Sequence, residues 1–144
     1  MNDTAEYTPH PAKAFFGVLL AGSFLIHLSN VGRGEMYSEY ARIFSATNTG
    51  GVFLSAIIAA STTRWKLPIF IKVILFHVGA ASLLGYLSSG QRGLAYALGS
   101  SIAVGLMSAT LAWIMLSSNW LFGRVVFWGL IGVYCISLLM FFLR

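Results

Sequence analysis

Apolar residues fall in five blocks separated by short polar gaps, and the length of each block limits what it can be. Residues 68–87, 94–116 and 122–143 each come near the roughly 20 residues that an α-helix needs to cross a hydrocarbon core about 30 Å thick. Residues 14–31 are slightly shorter and read as a helix of the same kind. Residues 45–63 differ, because only 52–60 is strongly apolar and the first half is rich in Ser, Thr, Asn and Gly. Arg64, Trp65 and Lys66 then combine an aromatic ring with two cations, as at a membrane interface, and Pro68 suits the start of the next helix. The pattern predicts an all-α, polytopic transmembrane helical bundle of five spans, at about 14–31, 45–63, 68–88, 93–117 and 122–143, after a polar tail at 1–13. The alternative is four spans with a re-entrant or interfacial segment at 45–63.

Between the first two blocks, 33–44 reads as a short amphipathic helix. Met36, Tyr37, Tyr40, Ala41, Ile43 and Phe44 cluster on one side, with Glu35, Ser38, Glu39 and Arg42 opposite. Such a segment lies in the headgroup plane or docks against the rest of the chain. The distribution of basic residues bears on the span count. Five spans divide Lys13, Arg64, Lys66, Lys72 and Arg124 from Arg33, Arg42, Arg92 and Arg144, which orients nothing; four spans divide them three to six, which favours the alternative.

Composition agrees with this partition. The chain is 58% hydrophobic and 9% charged, where soluble domains carry roughly a quarter charged residues. A charge left in hydrocarbon costs about 2.5 kcal/mol or more, so the charges collect in the gaps. The net charge of +5 is the loop Lys and Arg that set topology and meet anionic lipid. No basic stripe interleaved with exposed aromatics is present to bind nucleic acid. The single cysteine, Cys135, excludes an intrachain disulfide. The opening residues lack the basic start of a secretory signal, so the first block is expected to remain as a helix. A multi-pass protein of a cell inner membrane is the expected location.

Small residues recur every fourth position in two helices. Gly93, Ala97, Ser101, Gly105 and Ala109 form one ladder, and Gly51, Ser55 and Ala59 another, continued by Thr63. Such ladders let backbones approach closely, which drives helix association in lipid. The structural reading is packing inside the bundle; the functional reading is that one ladder stays free for a partner subunit or a second copy.

Polar groups inside a span are the other candidates, because they are costly there. Ser23, His27 and Asn30 fall on one stripe of the first helix, running toward Glu35 at the membrane edge. That stripe is either a polar path or a set of hydrogen bonds to a neighbouring helix. Glu35 and Glu39 stand one turn apart, where two carboxylates share a proton or hold a cation; Arg42 nearby makes a solvated ion-paired face the simpler account. His77 lies near the middle of its span. Two histidines on different helices can hold a haem, yet His27 and His77 differ in depth by about 6 to 8 Å at a rise of ~1.5 Å per residue, which suits one planar haem poorly. Lys72, one turn inside its span, reaches back to the interface along its own stem.

No Gly-x-Ser-x-Gly elbow, Walker loop, His-Glu-x-x-His or cysteine pair occurs, so no enzyme and no cofactor are expected. The sequence favours a small subunit, assembly or partner-recognition component of a membrane complex, acting through helix packing with other membrane subunits or with itself. A small oligomeric transporter with a polar path along the first helix is the alternative, and a haem b subunit a more distant one.

Overall fold

The computed structural model describes residues 9–31, 39–117 and 121–142. Among them the chain forms four helical elements and no strand: α1 (Pro11–Val31), α2 (Glu39–Ser61), α3 (Ile69–Ser117) and α4 (Leu121–Phe142). Three stretches are long and apolar enough to cross a membrane, Pro11–Ser29, Ala41–Ser61 and Ile69–Leu116, while the apolar part of α4 found by the same criterion, Leu121–Val133, is shorter. The five separate helices expected from the sequence thus become four elements, because the third and fourth run into one another.

The 49-residue α3 is not straight. Its backbone leaves helical geometry at Ser89 (φ −147°, ψ 22°) and Gly90 (φ 60°, ψ −141°). The Gly90 combination of positive φ with extended ψ is open to glycine almost alone. In an uninterrupted helix Gly85 and Gly93 would stand about 12 Å apart along the axis. Instead, a Cβ built on Gly85 would overlap the carbonyl oxygen of Gly93 and lie 2.5 Å from the Ala97 Cβ. The two arms of α3, residues 69–88 and 91–117, therefore fold back on each other at backbone contact. Gly105 continues the seam, 3.2 Å from the His77 Cδ2 by the same construction.

The segment expected to break at 45 does not break. Residues 39–44, expected in a separate interfacial helix, are the opening turns of α2, and the rest of that segment, 33–38, lies outside the described residues. The polar half of the block is absorbed by the helix's own carbonyls. Thr47 Oγ1 donates to Ile43 O at 2.7 Å and Asn48 Nδ2 to Phe44 O at 2.9 Å, and both side chains are buried.

Between α2 and α3 the turn is held by a cation. Trp65 N–H donates to Thr62 O at 3.0 Å, and Lys72 Nζ donates to Thr62 O and to Trp65 O. Lys72 is buried at 4% exposure. Rather than running out to water, its ammonium satisfies carbonyls at the C-terminal end of α2, where positive charge is favoured.

Apolar packing occupies both ends of the bundle. At one end Val18, Ala21, Ala56, Ala59, Val73, Ala109, Ala112, Met115 and Leu116 form the larger core, with Val126, Phe127 and Leu130 of α4 packed against it. At the other, Ile26, Phe44, Val52 and Val104 form a smaller one. α1 meets α2 closely where a Cβ on Gly22 would come 2.6 Å from Val52 Cγ1.

The hairpin predicts an ordering of alanine substitutions. Gly93→Ala drives a carbon into the backbone of the facing arm and should cost about 1–3 kcal/mol, as overpacking does. Gly90→Ala should cost a similar ~1–3 kcal/mol from backbone strain. Gly99→Ala, with nothing within 4 Å of the added carbon, should cost nothing. Unfolding midpoints in a detergent titration followed by circular dichroism measure all three; equal tolerance of Gly93→Ala and Gly99→Ala would contradict the seam.

Candidate functional site

Near the middle of the helices, α2 and both arms of α3 meet at a cluster of polar side chains. Asn48 and His77 are wholly buried, at 0% exposure each. The Asn48 amide nitrogen donates to Phe44 O and, at 3.1 Å, to Ser100 Oγ, which uses both of its hydrogens. Its oxygen then faces His77 Nε2 at 3.0 Å. An amide oxygen only accepts, so Nε2 carries the proton and donates, which assigns the tautomer through the network. Ser100 passes its own hydroxyl hydrogen to Ala97 O at 3.3 Å. One directed chain thus runs from His77 through Asn48 to Ser100, tying three helical segments together.

The other edge of the imidazole is enclosed by a glycine. A Cβ on Gly51 would lie 3.0 Å from His77 Nδ1 and 2.9 Å from the His77 carbonyl oxygen. The Gly51 backbone comes near the ring, but among the described residues no group meets Nδ1 with hydrogen-bond geometry. Thr47, Ser55, Ser101 and Ser108 are buried in the same bundle interior, and the first three donate to carbonyls of their own helices.

The small-residue ladders converge on this region. Gly93, Ala97, Ser101, Gly105 and Ala109 are all buried, as are Gly51, Ser55 and Ala59. Gly93 and Ala97 meet Gly85 of the facing arm, and Gly105 and Gly51 meet His77. Neither ladder is left open for a partner.

The stripe predicted on α1 is divided. Ser23 and His27 line one cavity with Leu19, Ile26, Thr49, Gly50, Val52 and Phe53, between α1 and α2. Ser23 Oγ donates to Leu19 O of its own helix at 2.6 Å. Among the described residues that line this cavity none is acidic. Asn30 is in α1 and Glu39 opens α2; their side chains, and Glu35 altogether, lie outside what is described. His27 and His77 do not suit a shared haem, because Nε2 of His77 is taken by Asn48 and Gly51 walls off Nδ1. Among the described residues no three His, Cys, Asp or Glu gather as a metal site.

Sequence reasoning did not single out Asn48. The available signal was an amide inside an otherwise spanning-length helix, obscured by the Ser, Thr and Gly around it.

Among the described residues, fold and site together define an all-helical protein with three helices long and apolar enough to cross a membrane and with Asn48 and His77 buried between them. No known protein family, curated protein sequence or solved structure matches it.

The cluster predicts where polar substitutions matter. Asn48→Ala strands the His77 N–H in a buried site and should lower stability by about 1–3 kcal/mol. Gly99→Ala, exposed and with open space around the added carbon, should stay within about 0.5 kcal/mol of wild type. A double-mutant cycle of Asn48→Ala with His77→Ala should return a coupling of at least ~0.5 kcal/mol; additive losses would mean that the two side chains do not interact.

Proposed function

We propose that this chain is a five-pass membrane protein without catalytic activity, and that it serves as a small subunit joined to another membrane protein through α4. The observation that carries the reading is the uneven packing of α4. Among its described residues, Gly123 is buried and Val126, Phe127 and Leu130 pack against the bundle, whereas Leu121, Phe122, Val125, Trp128, Val133, Ile136 and Leu139 are exposed. Lipid alone can cover such a helix. Two glycines favour a protein neighbour, because a Cβ on Gly129 or Gly132 would meet nothing within 4 Å, and open glycines serve close helix approach rather than contact with acyl chains. Against the transport reading stands the closure of the interior polar groups. Asn48 uses both of its N–H hydrogens and its oxygen on Phe44, Ser100 and His77, and none of the described residues lining the cavity beside Ser23 and His27 is acidic.

Five passes follow from treating the two arms of α3 as separate crossings. Each has about the length that a bilayer requires, and the fold-back at Gly85 and Gly93 turns the chain around. The loop around Lys66 then shares a face with His10, and Ser89 lies on the opposite one. In a Cys135→Ser background, His10→Cys and Lys66→Cys should be labelled by an impermeant maleimide from the same side of sealed vesicles, and Ser89→Cys from the other. Labelling of His10→Cys and Lys66→Cys from opposite sides would instead establish four passes.

The subunit reading has its own probe in the native thiol. Leu121, Val125, Trp128, Gly132, Cys135 and Leu139 fall on one stripe of α4 at alternating spacings of four and three, and Cys135 is exposed. A photoreactive maleimide on Cys135, activated in native membranes, should capture one discrete polypeptide, and Gly132→Leu should reduce that adduct severalfold. An adduct with a second copy of the chain would identify self-association. Capture of lipid alone would overturn the reading.

A further inference from the structure

Between α2 and α3 the chain leaves an exposed run that the fold does not use. Arg64, Trp65, Lys66, Leu67 and Pro68 all face outward, Trp65 with 57% of its surface and Leu67 with 39%. An indole and a leucyl side chain set among two cations match the head-group layer of a bilayer, where aromatic rings and Lys or Arg gather, better than open water. Beneath the run the backbone is fixed. Thr62 O accepts from Trp65 N–H at 3.0 Å and from Lys72 Nζ, and Lys72 Nζ also donates to Trp65 O at 3.2 Å. Carbonyls at the end of α2, where negative partial charge collects, are thus already met by one buried cation. Arg64 and Lys66 are left pointing away from the helix end, and neither forms an ion pair with a described residue. Glu39, the one acidic position among the described residues, opens the 23-residue α2 at its opposite end, about 33 Å away along the helix. The start of α3 at Ile69 adds further positive partial charge, and its first turn holds no acidic residue. Positive charge is therefore concentrated on a turn of fixed shape that also presents two apolar side chains.

We propose that the α2–α3 turn binds the phosphate head group of an anionic phospholipid, with Arg64 and Lys66 on the phosphate, Trp65 and Leu67 in the layer beneath it, and Lys72 as the positioning residue that holds the turn in shape. The assignment rests on the membrane reading above, which puts the end of α2 and the start of α3 at a bilayer surface. Two cations without a neighbouring carboxylate complement a head group of net negative charge rather than a zwitterionic one, and the apolar pair favours a lipid over a soluble anion. Each cation at such a surface contributes enough that losing both should weaken binding about 30-fold.

The test uses the full chain purified in a mild non-ionic detergent, with phosphatidylglycerol, phosphatidylcholine, inorganic phosphate or a soluble polyglutamate peptide added. Phosphatidylglycerol should raise the thermal midpoint saturably and remain bound in native mass spectra; the other three should do neither. Arg64→Gln/Lys66→Gln, two exposed changes, should keep the lipid-free midpoint and lose the response. Arg42→Gln/Arg92→Gln, which removes the same charge from the other end of the bundle, should retain it. Lys72→Met should weaken phosphatidylglycerol binding severalfold at a temperature where the chain is still folded, and Lys72→Arg should restore it; unaltered binding in Lys72→Met would overturn the positioning role. An equal response to phosphatidylcholine, an unchanged response in Arg64→Gln/Lys66→Gln, or an equal loss in Arg42→Gln/Arg92→Gln would overturn the proposal. A response to inorganic phosphate alone would make the turn a site for a free anion, and a response to polyglutamate alone a site for an acidic partner; either overturns the lipid assignment. If a carboxylate of the chain's own opening residues, Asp3 or Glu6, occupies the turn, Arg64→Gln/Lys66→Gln will lose stability without lipid and wild type will not respond, which also overturns it. A chain released from membranes by alkaline carbonate without detergent would refute the membrane reading itself, a result separate from indifference to phosphatidylglycerol in a detergent-dependent protein.

Discussion

The two arms of α3 lie against each other at backbone distance, and the rest of the molecule is placed by that contact. It requires three properties at once: glycine at 85 and 93 so that backbones touch, a residue at 90 free to adopt positive φ, and small side chains at 97, 101 and 105. Once the arms are joined, His77 on the first arm faces Gly105 on the second, and Ser100 is close enough to be reached by a side chain from α2. Asn48 enters at that point. α2 is thus fastened to a hairpin that already exists, and α1 packs over α2 at Gly22 and Val52.

The interior is polar in its middle and apolar toward both ends. In hydrocarbon a buried amide or imidazole is tolerated only when its hydrogens and lone pairs find partners. Asn48 meets this condition almost completely, with both N–H groups and its oxygen engaged. Such a network aligns helices and resists sliding, because a shift of one residue would break several bonds together. The same closure argues against traffic through the centre. A path for ions or protons needs groups that exchange partners with a moving species, and the Asn48 and His77 side chains have no accessible surface.

What the chain offers to its surroundings lies elsewhere. Among its described residues α4 packs on the bundle through Val126, Phe127 and Leu130 and leaves Leu121, Val125, Trp128, Ile136 and Leu139 exposed, while a cavity at its first turn joins α4 to α1 and to the end of α3. Lys72 illustrates the complementary case. Its charge is spent inside the fold, on carbonyls of the α2–α3 turn.

Block lengths and the position of charges determined by themselves that the described chain is all-helical, that three of its helices are long and apolar enough to cross a membrane, and roughly where most of them begin and end, since hydrophobic run length is a local property. The every-fourth-residue ladders were equally legible as packing faces. The partner of each ladder was not, because small residues favour any close neighbour alike, and only the reversal at Ser89 and Gly90 turns the long ladder onto the helix before it. The continuity of α2 was hidden because a polar side chain that bonds its own helix looks, in sequence, like a break. Asn48, His77 and Ser100 are separated by tens of residues, and their meeting depends on how two turns orient three helical segments. Tertiary structure alone decided that the polar site lies among them rather than along α1, because hydrogen bonds between helices have short range and definite direction, and neither property is written in the order of residues.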